Sequence, residues 1–545
     1  MPKRTKVRLS LESTPPPQSR PSSYSSPDDA KFGDKVLLSF DTDRIKSYVF
    51  ATGNLRDIRG ASALLDRLNR HEMPKIVKQI DPSAEQIYAH GGSGMFIVNK
   101  SQAELARVAV ERAYQDRTSS ASITGAWVPL PIDWKRNGDI QEQFRTVSYR
   151  LRAAKDRSAA QIRTATHALL HPCDVCGEYP ASEQSADANG KTELICDSCA
   201  AKRREDAQVL QGATQMSAGL SAAPRLSLWS RFIATLREKQ YPLTPKLERP
   251  ARFHMIGEQS TPEGYFGLIY ADGDGMGQFL EAIQTTKDMT RFAESVDRAI
   301  YQSLAHAAAQ HLKPGPHDNH FPFDVLLLGG DDVVLVTTAD KAILTALTLV
   351  ESFASYTKQS LGQPLRLSAS VILSHIAYPF SALQKLAEST LKFAKKEAAR
   401  RRHSGTTLTT GLISFLAISG GVDLDFADYY QGTLTATREF YRTLRPYTPE
   451  DLRAILAACK QLGEAPRAKL HQLRDYCFHG NPNNRVDALA ALLQWRSERE
   501  KAALVQLVQH FNDNQLGQVK FPWCRTAHGW ATPLIDLIEL FEFLS

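Results

Sequence analysis

No apolar run in the 545 residues of this chain approaches the roughly 18 that a membrane-spanning helix needs. The start also lacks the apolar h-region of a signal peptide. Residues 1–29 carry charges, a Thr14-Pro15-Pro16-Pro17 run and a Ser- and Pro-rich stretch, the composition of a disordered tail. Cysteine is scarce, and its count of seven is odd. Reduced thiols are the expectation, and with them a cytoplasmic protein. Neither sign of charge dominates: 66 Lys and Arg face 59 Asp and Glu, a net charge of +7 with a pI near 8.9. That basic lean suits nucleotides or nucleic acid without requiring either, since mixed charges most often form a solvated surface. What the chain does have is 42% hydrophobic content, enough for several domains with real cores.

Four of the seven cysteines form a pattern. Cys173-Asp-Val-Cys176 and Cys196-Asp-Ser-Cys199 are two CxxC knuckles separated by 19 residues. Four thiolates close the tetrahedral shell of Zn²⁺, so the pattern reads as structural zinc with no open position for catalysis. A redox pair is the competing reading, and two matching pairs around a polar loop favour zinc. Cys459, Cys477 and Cys524 are scattered and read as free thiols.

A second pattern is acidic. Gly329-Gly330-Asp331-Asp332 lies between the apolar runs 325–328 and 333–336, which predicts a tight hairpin with two carboxylates at its tip. Alone, this is ordinary turn chemistry. Upstream, however, an apolar strand ends in Tyr270-Ala271-Asp272-Gly273-Asp274-Gly275, followed by a helical pattern over 278–311. If that strand lies beside the hairpin, Asp272 and Asp331 meet at one sheet edge. Carboxylates so placed suit two divalent metals about 4 Å apart, clamping the attacking and leaving oxygens of an in-line phosphoryl displacement. Helix 339–359, strand 365–373, helix 380–400 and strand 408–415 complete a βαββαβ order, the palm of polymerases and nucleotide cyclases.

The N-terminal region repeats this outline. Lys35 to Asp43 matches the first palm strand, with Asp41 and Asp43 at its end. Residues 86–98 match the hairpin, but with Gly91-Gly92-Ser93-Gly94 at the tip. This copy lacks the hairpin carboxylates; it reads either as a nucleotide cradle through glycine amides and Ser93 or as a structural pseudo-domain.

Two palms flanking a four-cysteine insert resemble the large palm-domain subunit of type III CRISPR effector complexes, the cyclic oligoadenylate synthase. The resemblance rests on the segment 44–65, on Asp272 to Gly277, on Gly329 to Asp332, on Ser368 to His375 with Tyr378-Pro379, and on Leu391 to Lys396. It implies an α+β fold with two ferredoxin-like palm domains, a zinc-binding helical insert and a C-terminal helical bundle. The expected organisation is a tail (1–33), a degenerate first palm (34–135), a helical zinc-binding domain (136–256), a catalytic second palm (257–420) and a C-terminal helical domain (421–545).

The implied activity joins ATP into cyclic oligoadenylates by two-metal chemistry when target RNA is bound, in a complex with other type III subunits and guide RNA. Asp272, Asp331 and Asp332 would hold Mg²⁺ or Mn²⁺. Gly273, Asp274, Gly329, Gly330 and Lys395 would meet the nucleotide, with Gly91, Gly92 and Ser93 near a second ATP. Many family members begin with an HD nuclease domain; only about thirty residues precede the first palm strand here, and the one His-Asp dipeptide, His317-Asp318, lies in the loop before the Gly329–Asp332 hairpin and reads as no metal site. The expectation is therefore a form without DNase activity. Arg145, Arg150, Arg152, Lys155, Arg157, Arg163 and the Lys202-Arg203-Arg204 run read by default as solvated cations, with RNA or a partner subunit as the alternative. Helices are expected over 426–444, 449–462, 485–510 and 533–544. The alternatives are a diguanylate-cyclase-like enzyme, though Val333 stands where that family usually has Phe, and a non-catalytic nucleotide-binding scaffold of a ribonucleoprotein. A template-dependent polymerase ranks third.

Overall fold

The computed structural model describes residues 32–137, 139–158, 170–187, 190–217, 227–316, 318–418, 425–437, 439–463, 465–479, 485–512 and 519–544. The N-terminal tail over 1–29, Arg163 and His317 lie outside these residues. No described helix is long and apolar enough to cross a membrane.

The first palm opens with strand β1 (Phe32–Asp43), then α1 (Ile45–Val49), α2 (Leu55–Arg67) and α3 (Met73–Ile80). The hairpin β2 (Glu85–His90) and β3 (Ser93–Asn99) follows, then α4 (Lys100–Thr118) and β4 (Ser122–Pro131). The sheet order is β2-β3-β1-β4, that of a ferredoxin-like unit. Helices α5 (Trp134–Asn137) and α6 (Gln141–Ser158) lead into the cysteine module. There the hairpin β5 (Glu183–Ala186) and β6 (Thr192–Ile195) is followed by α7 (Asp197–Ser217), α8 (Leu228–Glu238) and the short α9 (His254–Gly257).

The second palm repeats the plan: β7 (Tyr265–Gly273), α10 (Met276–Ala282), α11 (Thr286–His311), β8 (Phe323–Gly329), β9 (Asp332–Thr338), α12 (Ala339–Leu361) and β10 (Leu367–His375). Its sheet runs β11-β10-β7-β9-β8, where β11 (Ile413–Ala417) is an added parallel strand reached through α13 (Phe380–His403). The βαββαβ unit thus closes at β10, and α13 and β11 lie beyond it. The single helix expected over 278–311 is two, because the Thr285 hydroxyl accepts from the Asp288 amide and starts α11 afresh.

Strand alternation divides the second sheet between two cores. Ile269 and Ala271 face α11 and α12. Leu268 and Tyr270 face the other way, into a core shared with Tyr48, Val49 and Phe50 of the first palm and with Leu383 and Leu386 of α13. Asp272, two residues after Tyr270, belongs to that second side, so the two palms meet over the face that carries the acids.

Their hairpin tips touch. A Cβ on Gly91, where φ is +65°, would stand 2.7 Å from the Gly330 amide nitrogen. Gly91→Val should therefore lower the melting temperature by more than Gly362→Val. Gly362 has φ +79° and open space around it, so it carries only the backbone strain of about 1–3 kcal/mol. Equal losses in paired thermal denaturation would argue against the tip contact.

The C-terminal region is largely helical, over Pro449–Leu462, Arg467–His479, Val486–Leu493, Glu498–His510 and Leu534–Leu544. It departs from expectation at 426–444, where a short helix gives way to Thr435–Thr437 and Phe440–Tyr441, members of a small five-stranded sheet. β-branched Thr433, Thr435, Thr437 and Thr443 across this stretch favour strand over helix.

Candidate functional site

The register of the second sheet determines which acids meet. Ala271 pairs with Val333, so Asp272 falls level with Asp332 at the strand ends, while Gly329 pairs with Asp332 to leave Gly330 and Asp331 as the turn. Gly330 has φ +62°, which a two-residue hairpin loop requires. Gly273 is packed so closely under the Asp331 carboxylate and Met276 that a Cβ there would collide with both. Asp272, Asp331 and Asp332 are each half-buried in this corner.

Crowding shows in their protonation. Burial first, and the Asp272 charge second, push the Asp331 carboxyl up to about 6. The same two causes push Asp332 up to about 7, against the pull of Lys46. One Asp332 carboxylate oxygen is buried without a hydrogen-bond donor. Hard divalent cations are the ligands such an under-compensated group of oxygens fits.

Lys395, on α13, donates to Asp272 Oδ2 at 2.6 Å and to the Gly273 carbonyl at 2.7 Å. Burial opposes its charge, but Asp272 holds its pKa above the ordinary lysine value. Asp274 turns inward instead, 1% exposed, accepting from the Ser368 hydroxyl at 2.6 Å. Burial raises its carboxyl. Ser368 Oγ also accepts from the Leu412 amide, so Asp274 braces the strand end from behind rather than lining the opening with Asp272.

The first palm reproduces half of this corner. Asp41 pairs with Ser93 across β1 and β3, placing a hydroxyl where the second palm has Asp332. Lys155 on α6 donates to Asp41 Oδ2 at 2.6 Å and to the Thr42 carbonyl at 3.2 Å, the same pair of contacts that Lys395 makes. Asp43 is engaged by Ser122 and Thr124. The Gly92 carbonyl accepts from the Thr42 amide and hydroxyl, and Gly91 lies against Gly329 and Gly330. Gly91 thus stands at the junction of the two tips, with Gly92 and Ser93 next to it in the same turn. Lys155 does not read as site-forming in the sequence; the signal is its place on the helix after the fourth strand, the place Lys395 holds after β10.

The four cysteines converge. Their sulfurs all lie within 4.8 Å of one another, with Cys173–Cys199 at 3.8 Å and Cys176–Cys196 at 3.7 Å. A tetrahedron with metal–sulfur bonds of about 2.3 Å has edges of about 3.8 Å, so the group fits one metal ion. Among the described residues, it is the one group of three or more His, Cys, Asp or Glu drawn that close.

Helix α7 carries this module onto α2. Lys202 and Arg203, expected to be solvated, are 1% and 3% exposed. Lys202 donates to the Tyr48 carbonyl and Arg203 pairs with Asp57, while Arg204 alone of the run is exposed and pairs with Glu183. Arg145, Arg150, Arg152 and Arg157 are exposed as expected.

Residues 265–404 match the family described as Cas10/Cmr2, second palm domain, which bears out the resemblance seen in the sequence over the segment holding Asp272, Asp331, Asp332 and Lys395. No curated protein matches the sequence. Among solved structures, the chain is similar to Csm1 in T. onnurineus, with TM-score 0.57 and 13% identity, covering 94% of this chain and 70% of that one. It is also similar to a Csm1–Csm4 cassette in complex with AMPPNP (TM-score 0.55, 14% identity, 94% and 70% covered). A Csm1–Csm4 cassette in complex with cA4 matches at TM-score 0.54 and 14% identity, again covering 94% and 70%. At such identities these likenesses establish the shared fold.

Proposed function

We infer that this chain is the large palm subunit of a type III CRISPR effector complex and joins ATP into cyclic oligoadenylates. The observation that carries the reading is the convergence of Asp272, Asp331, Asp332 and Lys395 on one strand-end corner within the segment that matches the Cas10/Cmr2 second palm. That related cassettes have been solved with AMPPNP and with cA4 supports an adenine nucleotide as substrate and a cyclic adenylate as product.

Asp272, Asp331 and Asp332 would hold Mg²⁺ or Mn²⁺, which supplies the charge that activates a hydroxyl and offsets a departing pyrophosphate. The chain's own residues then position the nucleotides. Lys395, held by Asp272, presents its ammonium to phosphate oxygens. Gly273 and Gly330, which lack side chains, let the backbone sit close under the Asp331 carboxylate and against Gly91, and Asp274 fixes the turn after β7 from inside. Gly91, Gly92 and Ser93, with the Asp41–Lys155 pair, form the facing wall for a second ATP. Its 3′-hydroxyl attacks the α-phosphate of the first; a 3′–5′ phosphodiester forms, pyrophosphate leaves and the hydroxyl proton passes to solvent. The four cysteines would hold structural Zn²⁺. Guide RNA, target RNA and the smaller type III subunits are the partners this reading implies.

The test is incubation of the chain, alone and within its complex with target RNA, with labelled ATP or GTP and Mg²⁺ or Mn²⁺. Cyclic adenylates are the expected products. Conversion of GTP into a cyclic dinucleotide would replace this reading with the diguanylate-cyclase alternative.

A further inference from the structure

Helix α1 is only five residues long, yet neighbours on both sides fix its position. Its first residue, Ile45, fills the space beside Gly92, where any Cβ would strike the Ile45 Cδ1. Its fourth, Tyr48, is buried and held from the cysteine module: Lys202 donates to the Tyr48 carbonyl at 2.7 Å and lies 4.3 Å from the ring centroid. Lys202 follows Cys199 by one helical turn. Between these anchors Lys46 reaches out of the first palm into the second. Its ammonium stands 4.7 Å from the centroid of the Tyr270 ring, two residues before Asp272 on the same side of the sheet. A solvated lysine would not be half-buried, face an aromatic ring and sit in a helix braced at both ends.

We propose that Lys46 is a nucleotide-binding residue of the Asp272–Asp331–Asp332 site, contributed by the opposite palm, and that its ammonium contacts the phosphates of a nucleoside triphosphate bound there. The inference rests on the nucleotidyl-transfer reading above. It gives that site two lysines of different origin, Lys395 from its own palm and Lys46 from across the junction. Ordering of α1 by the cysteine module then places the second one.

The test is binding of AMPPNP with Mn²⁺ to the full chain, for the wild type, Lys46→Met, Lys46→Arg and the Asp331→Ala/Asp332→Ala pair, at two NaCl concentrations. Lys46→Met should weaken binding about tenfold, the loss of one charge-assisted hydrogen bond. It should also flatten the salt dependence, while Lys46→Arg keeps most of the affinity and the wild-type salt response. A structural role alone would lower the melting temperature without changing the salt response. If Lys46→Met melts early, its binding is measured below its own melting temperature, where a wild-type salt response would still overturn the assignment. Wild-type affinity and salt response in Lys46→Met, with binding lost in the aspartate pair, would overturn the Lys46 assignment and leave the site itself standing. Absence of AMPPNP binding in the wild type would overturn both.

Discussion

Asp331→Ala combined with Asp332→Ala should abolish adenylate joining, lowering turnover by at least about a thousandfold, and should do so without destabilising the protein. The first half follows from the geometry: the two residues are the hairpin wall facing Asp272, and removing both removes most of the oxygens that would hold divalent cations. Metal-ion catalysis supplies several kcal/mol of transition-state stabilisation, and about 1.4 kcal/mol is one decade in rate. The second half follows from their pKa values. Burial and Asp272 raise the two carboxyls to about 6 and about 7 from an ordinary 3.8, so the folded chain holds protons there that the unfolded chain has released. For carboxyls raised in this way, their contribution to stability is greatest below about pH 4 and declines as pH rises through 6 and 7. At pH 8 both are ionised against their environment, and alanine relieves that cost. The double variant, free of metal, should therefore melt at or above the wild-type temperature at pH 8 and lose the advantage toward pH 4. Continued synthesis of cyclic product by this variant would remove the proposed site; a sharp drop in its melting temperature would mean the carboxylates are structural instead.

That site was legible because its chemistry is written in short segments. A glycine pair before two acids and an aspartate ending an apolar strand each lie within a few residues. The sheet register that joins them is the one ferredoxin-like pairing the βαββαβ order allows. The cysteine knuckles were legible for the same reason. Contacts between distant segments were not. Lys155 reads like its neighbours Arg152 and Arg157, and only the fold brings it to Asp41, across more than a hundred residues. Lys202 and Arg203 carry the composition of a solvated run, but α7 lies so close to α2 that Gly60 has no room for a Cβ beneath the Lys202 carbonyl. The contact of Gly91 with Gly330 is likewise invisible in sequence, although the matching glycine pairs are plain once both tips are set side by side. In the C-terminal region the apolar spacing of 426–444 resembles a helix, and pairing of Phe440 with Trp530 decides otherwise. Periodicity is a local signal, and strand partners from the far end of the chain override it.

The largest stability effect is expected at a residue that sequence patterns do not single out. Asp324 is the second residue of β8, and its side chain is fully buried between Arg59 of the first palm and Arg249 of the segment before the second, with those side chains 3% and 5% exposed. Arg59 also forks onto Asp206 of α7 and donates to the Pro250 carbonyl; Arg249 stacks over Trp229 at 4.2 Å. First palm, cysteine module and second palm are thus locked at one desolvated cluster. Asp324→Ala removes the carboxylate paired with the Arg249 guanidinium, which keeps its hydrogen bond to the Val325 carbonyl and its aromatic face, and a buried charge that loses its ion-pair partner costs about 3–5 kcal/mol. The urea midpoint should fall accordingly. Adding Arg249→Met should restore part of the loss, because the charge that lacked a partner is gone while its packing against Trp229 is largely kept. If the two substitutions instead add, the pair is not coupled, and the three units are held together by their apolar cores alone.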